Sequence, residues 1–105
     1  MSDPIILAGF SNMELVDFHY HIEWESWKDS FIELFAKKGE KTRHLRFNGV
    51  SNLKIQEGFS GSLSGMLVVD VSARQWDSAL IEVQNIEQDP GITFLAHSME
   101  IINDT

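Results

Sequence analysis

The sequence predicts a mainly β fold, in which antiparallel strands form a two-sheet sandwich or a bent meander of about seven strands with at most one short helix. Three observations support this prediction. Strand-like patterns far outnumber helical ones. Turn residues recur at intervals near the roughly 8–12 residues typical of sandwiches and barrels. One long stretch also alternates between apolar and polar residues.

The alternating stretch covers residues 16–25. Its apolar residues are Val16, Phe18, Tyr20, Ile22 and Trp24, and its polar residues are Asp17, His19, His21, Glu23 and Glu25. Successive side chains of a strand point to opposite faces, so this pattern predicts a strand with one buried face. We expect it to be the central strand, against which the other elements pair and pack.

The elements around this strand follow from local signals. Residues 5–13 fit either a short edge strand or a helical turn, and residues 26–30 form a connection. Lys38-Gly39-Glu40 predicts a hairpin turn between a strand at 31–36 and a strand at 42–48. The second of these strands sorts its side chains into two faces, with Arg43, Leu45 and Phe47 on one and His44 and Arg46 on the other.

The second half of the chain continues the β pattern. Asn48-Gly49 predicts a turn, followed by a strand over 50–56 with Leu53 and Ile55 pointing inward. Residues 58–65 are rich in glycine and serine and predict a loop. The remaining predictions are a covered strand at 66–71, a turn or short helix at 73–80, a strand at 81–87, a turn at 89–91, and a last strand or strand pair at 92–102.

Composition indicates one cytosolic domain spanning residues 1–105. The chain is 43% hydrophobic, which is ordinary for a globular protein. No apolar run approaches the roughly 20 residues needed to span a bilayer, and the acidic N-terminus does not resemble a secretory signal. The chain has no cysteine, which excludes disulfides and thiolate metal sites.

The charge is acidic and unevenly distributed. The net charge of -8 argues against nucleic acid as a partner, because phosphate binding needs a positive field. Residues 37–46 carry five of the eight basic residues and only one acid, which leaves fifteen acids and three bases elsewhere. We interpret this basic segment as a solvated hairpin in preference to a dedicated anion site.

Two groups of residues are candidates for a metal site or for a catalytic acid or base. His19 and His21 lie side by side on one predicted strand face, as in some zinc sites, with His44, His97 or Asp70 as the third ligand; the alternative is a plain polar face. Asp70 follows an apolar run, where a carboxylate must be paired or hydrogen-bonded. We favour a structural role for it near Ser72, with Arg74 or Arg43 as an ion-pair partner, over a general acid or base.

The tryptophans are candidate anchors for packing and binding. Trp24 belongs to the predicted buried face. Trp27 lies in a polar connection, where we expect it to be partly exposed. Because tryptophan is enriched at binding hot spots, Trp27 with Glu23 and Glu25 forms the predicted partner-binding set.

Several short motifs resemble the immunity protein 50 family of bacterial polymorphic-toxin systems. Residues 9–15 resemble the opening motif of the family through Phe10, Glu14 and Leu15, while Ser11-Asn12 replaces the family's His-Asp pair. Residues 45–50 and 53–55 resemble its following strands, and residues 92–94 its closing strand. The resemblance implies a small, mostly β, cytosolic protein that neutralises a toxin by binding it.

The leading hypothesis is therefore a non-enzymatic, immunity-like interaction module that binds a basic protein partner. It predicts no catalytic residues, no cofactor, no metal, and no nucleic-acid or membrane partner. Acidic proteins associate faster with positively charged partners. Unpaired edge strands would also permit a homodimer. The alternatives are a small metal-dependent enzyme using His19 and His21, and a structural or homodimeric β domain.

Overall fold

The computed structural model describes residues 3–75, 79–87 and 90–105. Within these residues the chain forms nine strands and two short 3-10 segments, at Trp27–Asp29 and Ser72–Arg74. The strands are β1 (Ile5–Leu7), β2 (Glu14–His21), β3 (Phe31–Lys38), β4 (Lys41–Asn48), β5 (Ser51–Ile55), β6 (Met66–Asp70), β7 (Ile81–Asn85), β8 (Ile92–Ala96) and β9 (Ser98–Asp104).

The strands form two antiparallel sheets, which confirms the predicted sandwich. The five-stranded sheet has the order β1-β6-β7-β8-β5, and the four-stranded sheet has the order β2-β3-β4-β9. In the part of the chain that the structure describes, no helix has the length and apolar character needed to cross a membrane.

The predicted hairpin between β3 and β4 forms the centre of the four-stranded sheet. Lys38 pairs with Lys41, so the turn has two residues, and Gly39 takes a φ of 60° that glycine adopts at little cost. The pairing continues to Phe31 opposite Asn48. Regular register over eight residue pairs keeps the side chains of each strand in strict alternation between the two faces.

Two neighbouring connections carry the chain from one sheet to the other. β4 passes into β5 at Gly49, and β8 passes into β9 at His97, whose backbone N–H donates to the Asn48 carbonyl at 2.8 Å. Gly49 has a φ of 65°, and a Cβ there would lie 2.9 Å from the Cβ of His97. Glycine is therefore required by both the backbone conformation and the close approach.

The core lies between the inner faces of the two sheets. Phe47 of β4 meets Phe94 of β8 edge to face, with ring centroids 4.9 Å apart. Both rings are buried, and much of the surrounding core is aliphatic, including Ile32, Leu34, Leu45, Val68 and Val83. The predicted division of β4 is confirmed, because Leu45 and Phe47 face the core while His44 and Arg46 lie on the outer face.

The predicted central role of residues 16–25 is wrong. β2 is an edge strand that pairs only with β3 among the named strands and ends at His21. A bulge between Leu15 and Asp17 displaces Val16, whose side chain is 63% exposed. Phe18 and Tyr20 do pack against the core, but they are only partly buried because no strand covers the outer edge.

Trp24 and Ile22 are likewise not part of a buried face. They lie beyond the end of β2, in the connection to β3, and the Trp24 side chain is 83% exposed. Once the strand ends, the two-residue alternation no longer decides which side chains face the core. The prediction for Ile55 is also wrong, since it is exposed at the end of edge strand β5, whereas Leu53 packs against the core.

The pairing of the strands decides between the alternatives that the sequence left open at the two ends of the chain. Residues 5–7 form an edge strand, and residues 92–104 form a strand pair split at His97. The expected turn or short helix at 73–80 corresponds in part to Ser72–Arg74. Its residues 76–78 lie outside the described part of the chain, as does Asp89 of the predicted turn at 89–91.

This arrangement predicts unequal costs for two substitutions. Phe47→Ala removes a fully buried ring and should lower the free energy of unfolding by about 3–5 kcal/mol. Val16→Ala trims an exposed side chain and should change it by less than about 0.5 kcal/mol. Urea melts of both variants beside the wild type measure the difference. Similar losses at the two positions would contradict the edge placement of β2.

Candidate partner-binding surface

A turn over Glu23–Ser26 presents Trp24 to solvent. The Ser26 N–H donates to the Glu23 carbonyl at 3.2 Å, so Trp24 and Glu25 occupy the two central positions of a four-residue turn. We call residues 22–26 the Trp24 turn. Its apolar side chains, Ile22 and Trp24, are 63% and 83% exposed.

The base of the Trp24 turn is fixed to the body of the protein by Ser30. The Ser30 hydroxyl accepts a hydrogen bond from the Glu23 N–H at 2.9 Å, and the Ser30 carbonyl accepts one from the Gly49 N–H at 2.8 Å. Ser30 is buried, so both bonds are at least partly shielded from water. The Asp29 N–H also donates to the Ser26 carbonyl at 2.9 Å. The exposed indole therefore projects from a braced support.

The strand that leads into the Trp24 turn is acidic. Residues 14–25 contain four acids and no lysine or arginine, and three of these acids are exposed, namely Glu14, Asp17 and Glu25. Glu23 is partly exposed, and one of its carboxylate oxygens lies 3.6 Å from Nε2 of His21. The edge of the sheet and the turn thus share one sign of charge.

The predicted partner-binding residues are placed only in part. Glu23 and Glu25 lie in the Trp24 turn. The backbone of Trp27 begins a 3-10 segment, but its side chain lies outside the described part of the structure. Trp24 was not among the predicted binding residues, because the alternating pattern assigned it to the core. A signal was available, since Trp24 stands between two glutamates.

The outer face of the four-stranded sheet is built from stacked rings and charges. The rings of His19 and His21 stack on Phe31 with centroids 5.9 and 5.1 Å away. The guanidinium of Arg46 lies over the same Phe31 ring at 3.9 Å. Phe31 is therefore largely covered by neighbouring side chains and offers little free surface.

A second cluster on this face surrounds Glu33. Its carboxylate lies 3.4 Å from Nη1 of Arg46 and 3.6 Å from Nε2 of His44. The His44 ring stacks on Phe35 at 3.9 Å, and its Nε2 atom is buried without a hydrogen-bond partner. No local pattern of the sequence predicts this cluster, because pairing across strands brings its members together.

The structure does not assemble the metal site considered for His19 and His21. Both are exposed on β2, whereas His44 lies on β4, about 10 Å away at the spacing of two strands. Asp70 belongs to the other sheet, and His97 lies at the connection between β8 and β9. Among the described residues, no group of three or more histidines and acids could hold a metal ion.

Asp70 has the structural role that we favoured. It ends β6, and its Oδ1 atom accepts a hydrogen bond from the Ser72 N–H at 2.8 Å. The Ser72 hydroxyl and, to a lesser extent, its backbone N–H lower the pKa of Asp70 below its ordinary value of 3.8. Of the two arginines considered as partners, Arg43 binds Asp104 at 3.0 Å, and Arg74 binds Asp3 and Glu82.

In the basic segment 37–46, the two arginines contact other parts of the protein and the three lysines are exposed to solvent. Arg43 donates to the Ala8 carbonyl at 2.7 Å and covers the buried Phe10 ring at 4.8 Å. Arg46 belongs to the Glu33 cluster. The three lysines lie exposed around the tip of the β3–β4 hairpin, which fits the interpretation as a solvated hairpin.

Comparisons of the chain with models of protein families, with curated proteins and with solved structures found no match.

The Asp70 contact predicts a pH-dependent contribution to stability. A lowered pKa in the folded state means that the unfolded chain binds this proton more readily. The contribution is therefore present above the ordinary carboxyl pKa and is lost as the pH falls through the lower value of the folded state. Asp70→Asn should unfold more easily than the wild type at pH 7, with the difference shrinking towards pH 2. Urea melts across this range test it, and a constant difference would contradict it.

Proposed function

We propose that this protein is a non-enzymatic interaction module that binds a basic protein partner through the Trp24 turn. The observation that carries the proposal is the 83% exposure of Trp24 between two glutamates on a braced turn. A large exposed indole is costly to solvate and is the side chain most enriched at binding hot spots.

The chemistry of the Trp24 turn fits a lysine or arginine of the partner. A cation over an indole ring gains electrostatic attraction, and the carboxylates of Glu23 and Glu25 supply the opposite charge. The net charge of -8 speeds encounter with a basic partner over a longer range. Because Ser30 fixes the turn, little conformational entropy is lost when the partner binds.

The resemblance to the immunity protein 50 family extends the proposal. It would make the partner a toxin that this protein neutralises by occupying its surface, in the cytoplasm. We do not propose nucleic acid or a membrane as a partner, in view of the acidic charge. We do not propose the enzyme built on His19 and His21 either, because the structure brings no third ligand to them in the residues it describes.

Capture from a lysate of the source cell tests the role of Trp24. The tagged wild type should retain a protein at low salt and release it at high salt. Trp24→Ala should weaken retention about 30-fold, the equivalent of a hot spot worth about 2 kcal/mol.

Ile86→Ala is the matched control, because Ile86 is 66% exposed and follows β7 in the other sheet. It should retain the partner as the wild type does. If Trp24→Ala captures as well as Ile86→Ala, or if nothing salt-sensitive is captured, the proposal is contradicted.

A further inference from the structure

We propose that the partner presents an extended basic segment, which pairs as an added strand with the free edge of β2. This inference rests on the proposed function and specifies the form of the partner. It starts from the placement of β2 at the margin of the four-stranded sheet, where its only strand neighbour within the described residues is β3.

The free edge extends over Asp17–His21. At the N-terminal end of β2, the edge is already covered, because the Leu15 N–H donates to the Gly61 carbonyl at 2.7 Å and Glu14 bridges to Ser62. Beyond the bulge, five residues pair with β3 in regular register, from Asp17 opposite Phe35 to His21 opposite Phe31. That length suits a short added strand.

Backbone groups at this edge point towards solvent. The Phe18 N–H donates to the Oδ1 atom of the preceding Asp17 at 2.9 Å. Lys38 and Lys41 close the two-residue turn, so the backbone N–H and C=O groups of Lys38 point towards β4. In a strand, every second residue directs these groups to the same side, so those of Leu34 also point towards β4. Leu34 lies opposite Phe18, which therefore forms no backbone hydrogen bonds with it. Phe18 and, two residues on, Tyr20 therefore direct their N–H and C=O groups outward.

Asp17 accepts the hydrogen bond of the backbone N–H that an added strand would use. Its carboxylate occupies the Phe18 N–H in the free protein. A carbonyl of the incoming strand would replace it, and the released carboxylate would pair with a basic side chain of the same strand. The exchange keeps every polar group satisfied.

The bulge of β2 lies N-terminal to the five free residues, which carry few other guards against an added strand, and the charge of the edge selects the occupant. Edge strands are commonly guarded by lysine or proline, but residues 14–25 contain neither. A second copy of this chain carries the same net charge of -8 and no lysine or arginine over residues 14–25, so its own β2 offers no charge complementary to Asp17. A basic strand has the complementary charge.

The two faces of β2 also predict the pattern of the segment. Phe18 and Tyr20 are partly buried at the rim of the core, so apolar side chains of the added strand would cover them. Asp17, His19 and His21 lie on the outer face, where Asp17 is exposed to meet basic side chains. The segment should therefore alternate between basic and apolar residues.

An octapeptide that alternates lysine with valine is the test probe. When this peptide binds the protein, it should slow hydrogen exchange at the Phe18 and Tyr20 amides, as measured by NMR. A peptide of the same sequence with N-methyl groups on its edge-pairing amides keeps its charge and should bind at least 10-fold more weakly. Asp17→Lys should weaken binding of the first peptide by a similar factor, whereas Glu57→Lys, the same charge change in an exposed loop, should weaken it much less.

The outcomes separate this inference from the proposed function. Equal binding of the N-methylated peptide, protection confined to the Trp24 turn, or no binding of the alternating peptide would overturn strand addition. The lysate capture with Trp24→Ala would still report on the Trp24 turn independently. Protection of Phe18 and Tyr20 that rises with protein concentration, without peptide, would show that a second copy occupies the edge and would also overturn the inference.

Discussion

The contact between Phe47 and Phe94 joins the two sheets of this protein, and the rest of the structure is arranged around it. The rings come from strands in the interior of different sheets, and they meet edge to face where both are shielded from water. A core formed between two small sheets can fully cover only the inner faces of the interior strands. The edge strands are left with half-buried side chains on one side and solvent on the other.

This constraint places the candidate surface at the margin of the fold. β2 contributes Phe18 and Tyr20 to the rim of the core, while its outer edge and the Trp24 turn carry exposed apolar groups and acids. The surface does not depend on a flexible loop, because buried Ser30 braces the turn from below. The stacked rings and ion pairs on the outer face of the same sheet hold β2, β3 and β4 together beside it.

Much of the fold follows from local sequence patterns. The Gly39 turn, the two faces of β4 and the packing of Phe18 and Tyr20 are all consequences of short-range geometry, so the sequence predicts them correctly. The order of strands within a sheet depends on long-range pairing, and no local pattern reveals that β2 lies at an edge. The bulge at Val16 and the end of β2 at His21 also depend on long-range pairing. They expose three side chains that the alternating pattern assigns to the core, namely Val16, Ile22 and Trp24. Of the residues in the candidate site, the sequence predicts Glu23 and Glu25 through their charge. It does not predict Trp24, because the exposure of Trp24 depends on where β2 ends.

The exposure of Trp24 is the central claim, since it follows from the end of β2 at His21 and the proposed binding surface depends on it. A variant carrying Trp27→Phe and Trp76→Phe leaves Trp24 as the one tryptophan of the chain. Its fluorescence should be measured after circular dichroism has confirmed that the variant is folded. The account predicts an emission maximum close to that of N-acetyltryptophanamide in water, with rapid quenching by acrylamide. A blue-shifted emission that acrylamide quenches only slowly would place Trp24 in the core and contradict the account.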